Sequence, residues 1–415
     1  MDSPSVAELG RRAQGAARAL AVAPGAVKDS ALQLAADVLE ERAADVLGAN
    51  ARDVAAAGAA GAGATALDRL RLSEARLAAM SAGLRQVAAL PDPVGEVVEG
   101  SVRPNGLRVE RVRVPLGVVG IIYENRPNVT SDAAGLCLKA GNATMLRGSS
   151  SALASNAAIV SCLRAAATKA GLPEDSVVLV EDTGHEAARE FMRLEGVIDC
   201  LIPRGGPSLI ATIRREATVP FVIDGDGNCH VYVDGAADVD RALAIVANAK
   251  MQRPGVCNAA ESLLVDAAVA PRVLPRLAEV LTGVELVGDA RARAAVPSMG
   301  PAGEEDFATE FLDLKLSVAV VDGLDGAIAH IATYGSGHSE AIVTTDLAAA
   351  ERFCREVDAA AVLVNASTRF VDGAELGLGA EIGISTQKLH ARGPMGLREL
   401  TCTKYVVHGD GQVRG

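Results

Sequence analysis

The chain of 415 residues contains no tryptophan, and aromatics amount to only 2% of it. Its cores must therefore be built from Ala, Val, Leu and Ile, although the hydrophobic fraction is an ordinary 49%. No apolar run of about 18 residues free of charge occurs, which argues against a membrane-spanning helix. The first residues lack a basic stretch followed by an apolar one, so no secretory leader is expected. Cysteine is sparse: seven thiols, an odd number scattered along the chain, fit a reducing cytoplasm better than a disulfide framework. There is no basic excess either. A net charge of −12 disfavours nucleic acid as a partner, so any anionic substrate must be met by a local positive pocket. The HEXXH, CXXC and G-x-S-x-G signatures are missing, and no metal site is expected. No G-x-G-x-x-G follows a strand, which removes the commonest dinucleotide fingerprint.

What is present centres on Asn248–Val265, NAKMQRPGVCNAAESLLV. Asp238 is placed to cap a helix whose buried face carries Val239, Ala242, Leu243 and Val246. Pro254 and Gly255 stop that helix, and Ser262–Val265 reads as a short buried strand. Cys257 thus sits in a Pro-Gly loop between two rigid elements, a frequent place for a reactive side chain. A thiol acts as a nucleophile only as an accessible, electrostatically supported thiolate, and Arg253 is near enough in sequence to contribute. A loop cysteine alone is more often structural.

Residues 5–49 read as two helices, the second carrying Leu32, Ala35 and Leu39 and ended by Gly48 and Asn50. The small-residue run Ala55–Thr65 fits a surface loop or a frayed helix equally well. Ala66–Leu90 reads as a further helix, stopped by Pro91 and Pro93, and Leu107–Val114 alternates like a strand. From Leu116 the pattern changes. The apolar runs Leu116–Ile122, Ala143–Leu146, Val177–Val180 and Val197–Ile202 alternate with helical stretches, the longest being Ser151–Ala170. After Cys257 the rhythm resumes with Leu316–Val321, Ala341–Thr344 and Ala361–Val364. Such alternation predicts an α/β fold of parallel sheets covered by helices, with ligands at the strand C-terminal ends. Two α/β domains follow, meeting near Gly225–Asn228.

Several strand ends carry polar groups. Gly205–Gly206 stand between a strand and a helix start, where bare backbone N–H groups can approach a pyrophosphate; a tight turn explains them equally well. Arg147 ends a strand and is suited to a ribose or its phosphate, though a surface charge is the commoner reading. Arg126 and Asn128 follow an apolar strand and can reach a reacting carbonyl, or serve turn chemistry around Pro127. His338 lies in a Gly-Ser turn without metal-ligand spacing, so a structural or substrate-rim role outweighs metal binding.

The segments YENRPNVTSDAAGLCLKAGNATMLRG, NAKMQRPGVCNAAESLLV, TEFLDLKLSVAVVD, YGSGHSEAIVTTD and EIGISTQKLHARGPMGLRELTCTKY closely resemble the gamma-glutamyl phosphate reductase (glutamate-5-semialdehyde dehydrogenase) family of the aldehyde dehydrogenase superfamily. The match runs from about the first helix to Tyr405 and keeps the family's order and spacing. It implies an aldehyde dehydrogenase-like fold of two Rossmann-like parallel-sheet domains with a small β-flap for oligomerisation. Residues 1–100 and 115–226 would bind the cofactor, 227–400 would carry the chemistry, and 101–114 with 401–409 would form the flap. It also implies Cys257 as the nucleophile, Glu310 as the residue orienting the nicotinamide ribose, Arg147 in place of a cofactor-binding lysine, and Gly205 opening the cofactor-side helix. The superfamily's oxyanion-hole asparagine falls on Asn125 or Asn128, with Asn128 favoured. One departure stands out. After Val222 the family carries Glu-Thr-Gly, whereas this chain reads VIDGDGNCH, with Ile223 in the glutamate's place and Asp224 beside it. Thioester hydrolysis is thereby disfavoured more than reduction.

The implied reaction is the NADPH-dependent reduction of L-glutamyl 5-phosphate to L-glutamate 5-semialdehyde, a step of proline biosynthesis. Its dianionic substrate would call on Arg126 and Arg253. A homo-oligomer and a transient contact with glutamate 5-kinase are the expected associations. The competing expectation is an oxidative or CoA-acylating aldehyde dehydrogenase of the same superfamily.

Overall fold

A computed structural model describes residues 4–414, and the chain divides into two compact units. One comprises the chain up to Ile223 together with Leu378–Ile382 and the segment from Met395; the other comprises Asp224–Gly377 and Gly383–Pro394.

The first unit holds a four-stranded parallel sheet in the order Val177–Leu179, Ala143–Arg147, Val118–Tyr123, Cys200–Arg204. The Val118–Tyr123 and Ala143–Arg147 strands are almost wholly buried, as strands covered on both faces must be. Leu153–Lys169 forms the long helix expected there. A separate antiparallel sheet of Val97–Val102, Arg108–Pro115 and Thr401–His408 leaves Val97, Val102, Tyr405 and Val407 exposed.

The N-terminal helices depart from expectation. Three are present, Val6–Leu20, Gly25–Glu41 and Ala43–Ala59, and the break falls at Arg42 rather than at Gly48 and Asn50. Asn50 is not a stop but a buried tie inside the third helix. Its amide nitrogen donates to the Leu70 carbonyl at 2.8 Å, and its oxygen accepts the Leu72 N–H at 2.7 Å. Taking that backbone out of helical bonding splits the expected Ala66–Leu90 helix into Ala64–Leu70 and Glu74–Ala89, the latter capped by Ser73. The run from Ala55 stays helical to Ala59, in keeping with the helix propensity of alanine.

The second unit is built on seven parallel strands in the order Gly300–Pro301, Glu285–Gly288, Lys315–Val321, Ala260–Asp266, Cys229–Val233, Ser339–Val343, Ala361–Val364. Side chains alternate across it, so each strand feeds two cores. Val231, Val233, Leu263, Val265, Val318 and Val320 pack with helices Val239–Met251 and Ala270–Val280. Tyr232, Leu264, Ala319 and Ile342 pack on the other side with Ala327, Ile331 and Phe353. Aliphatic side chains dominate both layers, as the shortage of aromatics requires.

Candidate active site

Cys257 follows the helix Val239–Met251, whose cap is Asp238 accepting the Arg241 N–H at 3.0 Å, and precedes the strand Ala260–Asp266. The cysteine is half-exposed. The next residue is anchored: Asn258 is buried and donates to the Val371 carbonyl at 2.9 Å.

A strap, Asp224–Asn228, crosses the backbone of this loop. A Cβ on Gly227 would lie 1.6 Å from the Cys257 carbonyl oxygen and 2.6 Å from its Cα, so only glycine fits. A Cβ on Gly225 would similarly meet the Thr386 side chain at 2.3 Å. The strap is held from several directions. Asp224 accepts the Ile384 N–H at 2.8 Å, Gly227 donates its N–H to Glu310 Oε1 at 2.9 Å, and the Asn228 amide donates to the Phe307 and Tyr334 carbonyls. Glu310 is thus fixed by the backbone that covers Cys257. Burial pushes its carboxyl upward, the Gly227 N–H opposes this, and the carboxylates of Asp226 and Asp224 add to it. Asp224 is engaged in tying two loops, and Ile223 is buried.

Beneath the loop lies a buried polar layer. The Cys229 thiol donates to the Cys257 carbonyl at 3.2 Å and stands 3.6 Å from Nδ1 of His338, which contacts Ser339 Oγ at 2.7 Å. Burial drives the Cys229 thiol far up and the His338 imidazole down to about 4. Neither is a nucleophile or a metal ligand here; His338 is a core residue. Lys250 and Glu261, both fully buried, pair at 2.5 Å. The other Glu261 oxygen accepts the N–H of Leu312, a residue held at φ +54 two positions beyond Glu310. Burial raises the Glu261 carboxyl to about 7, against the pull of Lys250.

Arg253 is exposed in the cysteine loop. A second guanidinium was not foreseen: Arg369, on the turn Thr368–Phe370, donates from Nε to Gln252 Oε1 at 2.8 Å. Burial lowers the Arg369 pKa and the charge of Arg253 lowers it further, while Asp372 and the Cys257 sulfur oppose this. Among the described residues neither arginine enters an ion pair.

In the first unit, Asn125 takes φ +41, a left-handed conformation rare for a side-chain-bearing residue and frequent at functional sites. Its side-chain oxygen accepts from Ser149 Oγ at 3.0 Å and from Ser151 Oγ, which fixes the direction of its amide nitrogen. Asn128 is exposed, and its amide nitrogen donates to Asp132 of its own helix at 2.9 Å. Arg126 is exposed in the same turn.

Gly205 and Gly206 precede the helix Pro207–Glu216, as read. A Cβ at Gly205 would meet Leu209 at 2.6 Å and the Glu124 carboxylate at 2.7 Å, and Glu124 accepts the Gly206 N–H at 3.0 Å. The Gly206 N–H at this helix start is therefore taken by the protein's own carboxylate, which a dinucleotide's phosphate would have to displace. Arg147 donates to the carbonyls of Thr183 at 2.6 Å and Gly184 at 3.1 Å, steadying the start of the helix His185–Met192. Among the described residues no group of acidic, His and Cys side chains is arranged to hold a metal ion, and no helix is long and apolar enough to cross a membrane.

The aldehyde dehydrogenase family model matches residues 2–314. A gamma-glutamyl phosphate reductase of Thermobifida fusca is 56% identical over 99% of this chain and 98% of its own. That of Carboxydothermus hydrogenoformans is 55% identical over 99% of each. The crystal structure of gamma-glutamyl phosphate reductase from Thermotoga maritima superposes with a TM-score of 0.97 at 47% identity, covering 99% of this chain and 100% of that one.

Proposed function

Because the chain belongs to the aldehyde dehydrogenase family and groups there with the gamma-glutamyl phosphate reductases, we propose that it reduces L-glutamyl 5-phosphate to L-glutamate 5-semialdehyde and phosphate with NADPH, through a thioester on Cys257. The chain is an oxidoreductase of the acyl phosphate and aldehyde couple, in the branch of metabolism that makes proline from glutamate. The seat of Cys257 supports the reading most: a half-exposed thiol on a loop whose backbone is held by Cys229, Gly227 and Asn258.

The Cys257 thiolate attacks the acyl carbon; the C–S bond forms as the C–O bond to phosphate breaks, and phosphate leaves with the electron pair and takes up the thiol's proton. The oxyanion of the tetrahedral intermediate needs fixed donors, each worth about 3 kcal/mol. The Cys257 N–H is one. Asn125 rather than Asn128 is the proposed second, because its amide is aimed by two serine hydroxyls whereas that of Asn128 is turned onto Asp132. A nicotinamide dinucleotide, when bound, supplies the hydride that reduces the thioester. The Gly205–Gly206 N–H groups would hold its phosphates, and Glu310, kept in place by Gly227, would orient its ribose. Return of the thiolate then frees the aldehyde.

The exposed apolar residues of the small sheet support a homo-oligomer. A cytoplasmic location, and a transient contact with glutamate 5-kinase that spares the unstable acyl phosphate from water, are part of the same proposal.

The test is the reverse reaction, followed by nicotinamide absorbance. Semialdehyde and NADP should give reduced cofactor in proportion to inorganic phosphate, and coenzyme A should not replace it. Turnover with coenzyme A and none with phosphate would instead assign a CoA-acylating enzyme.

A further inference from the structure

Two guanidiniums belong to the surroundings of the Cys257 loop, and among the described residues neither forms an ion pair. Arg253 stands four positions before the cysteine, on its own loop. Arg369 reaches the same loop from a distant turn, where Gln252 fixes its Nε at 2.8 Å and Asn258 fixes the following turn through the Val371 carbonyl at 2.9 Å. Several other arginines of this unit are matched to acids: Arg352 with Asp325 and Glu356, Arg392 with Asp358, Arg291 with Asp322. Arg369 instead feels the charge of Arg253, against which Asp372 and the Cys257 sulfur pull more weakly. Two cations held together, one of them half-buried, call for an anion between them.

Resting on the reading that the substrate is an acyl phosphate, we propose that Arg253 and Arg369 together seat its phosphoryl group. The phosphoryl oxygen is bonded to the carbon that sulfur attacks, so of the substrate's anionic groups this one must lie nearest the thiolate. There its two negative charges oppose the approach of a third. Guanidiniums anchored beside the sulfur relieve that repulsion and stabilise phosphate as it departs with the electron pair of the broken C–O bond. The carboxylate at the far end of the glutamyl chain lies several bonds away and makes no such demand. Arg369 has a further consequence: its charge favours the thiolate over the thiol.

The experiment compares wild type, Arg369→Met and Arg369→Lys in the reverse direction, where inorganic phosphate is a separate substrate whose KM is measured on its own. Arg369→Met should raise the KM for phosphate about tenfold or more, the worth of one charge-assisted hydrogen bond, leaving the KM values for semialdehyde and NADP unchanged. Arg369→Lys should recover part of the loss. Independently of turnover, inorganic phosphate should slow alkylation of Cys257 by iodoacetamide in wild type and not in Arg369→Met. An unchanged KM for phosphate, or a rise confined to the semialdehyde, would overturn the assignment. Should wild type fail to turn over with phosphate, the reaction reading falls, and protection of Cys257 by phosphate still decides the anion seat.

Discussion

Replacing Gly227 by alanine tests how tightly the nucleophile is held. The added Cβ would lie 1.6 Å from the Cys257 carbonyl oxygen, 2.4 Å from its carbonyl carbon and 2.6 Å from its Cα, where ordinary contact begins at 3.4 Å. All three obstacles are backbone atoms, so no side chain can rotate away. Either the strap lifts, breaking the Gly227 N–H bond to Glu310 at 2.9 Å, or the cysteine loop retreats from the Cys229 thiol. Relief requires a movement approaching 2 Å, and a misplacement of about 1 Å can slow a reaction about 100-fold, or roughly 2.7 kcal/mol of barrier. Overpacking should destabilise the fold by only about 1–3 kcal/mol. The phosphate-dependent oxidation of semialdehyde should accordingly fall by at least about two orders of magnitude in protein that still melts cooperatively. Gly225→Ala, which meets only the Thr386 side chain, should do less, and Thr386→Gly should relieve it. Gly227→Ala with a kcat within about threefold of wild type would refute the idea that this contact positions Cys257.

Asn125→Ala should lower kcat by about 100-fold or more, whereas Asn128→Ala should change it little; the reverse ranking in steady-state kinetics would return the oxyanion role to Asn128. Lys250→Met leaves the buried Glu261 carboxylate without its cation and should cost about 3–5 kcal/mol in urea unfolding, with much of that loss recovered in Lys250→Met/Glu261→Leu. Burial holds the His338 imidazole down to about 4, below its ordinary value of 6.5. Between those limits the unfolded chain binds a proton that the folded chain refuses. Stability is therefore full above pH 6.5 and falls on acidification toward pH 4, by at most about 3 kcal/mol. Thermal melts across that range should show the decline, and it should be shallower in His338→Asn.

Local pattern carried much of the design. The cap at Asp238, the helix face through Ala242, Leu243 and Val246, and the loop that presents Cys257 are all written within a short window, where periodicity and Pro-Gly punctuation act directly. The parallel sheets were equally legible, because strands buried on both faces must be continuously apolar. What surrounds the cysteine was not. Gly227 looks like any loop glycine until a backbone nearly in contact with it is known. Arg369 lies on a turn remote in sequence, and its meeting with Arg253 is a fact of tertiary folding. Nothing in the sequence pairs Lys250 with Glu261, yet the two are sealed from water together. Asn50 misled for the same reason: a residue that ends helices when exposed binds a neighbouring turn when buried.

The small antiparallel sheet carries a consequence for biosynthesis. Arg108–Pro115 pairs along its length with Thr401–His408, and the bond from Cys402 to the Pro115 carbonyl spans 287 positions. During translation that inner strand must wait, one edge open, until a partner 287 positions further on has been made, and unpaired edges recruit neighbouring chains. Until then its other edge is covered by the preceding strand Val97–Val102, and Arg111 and Arg113 pair with Glu99 and Glu96 of that same hairpin, so the half-built sheet already has its charges matched on one side.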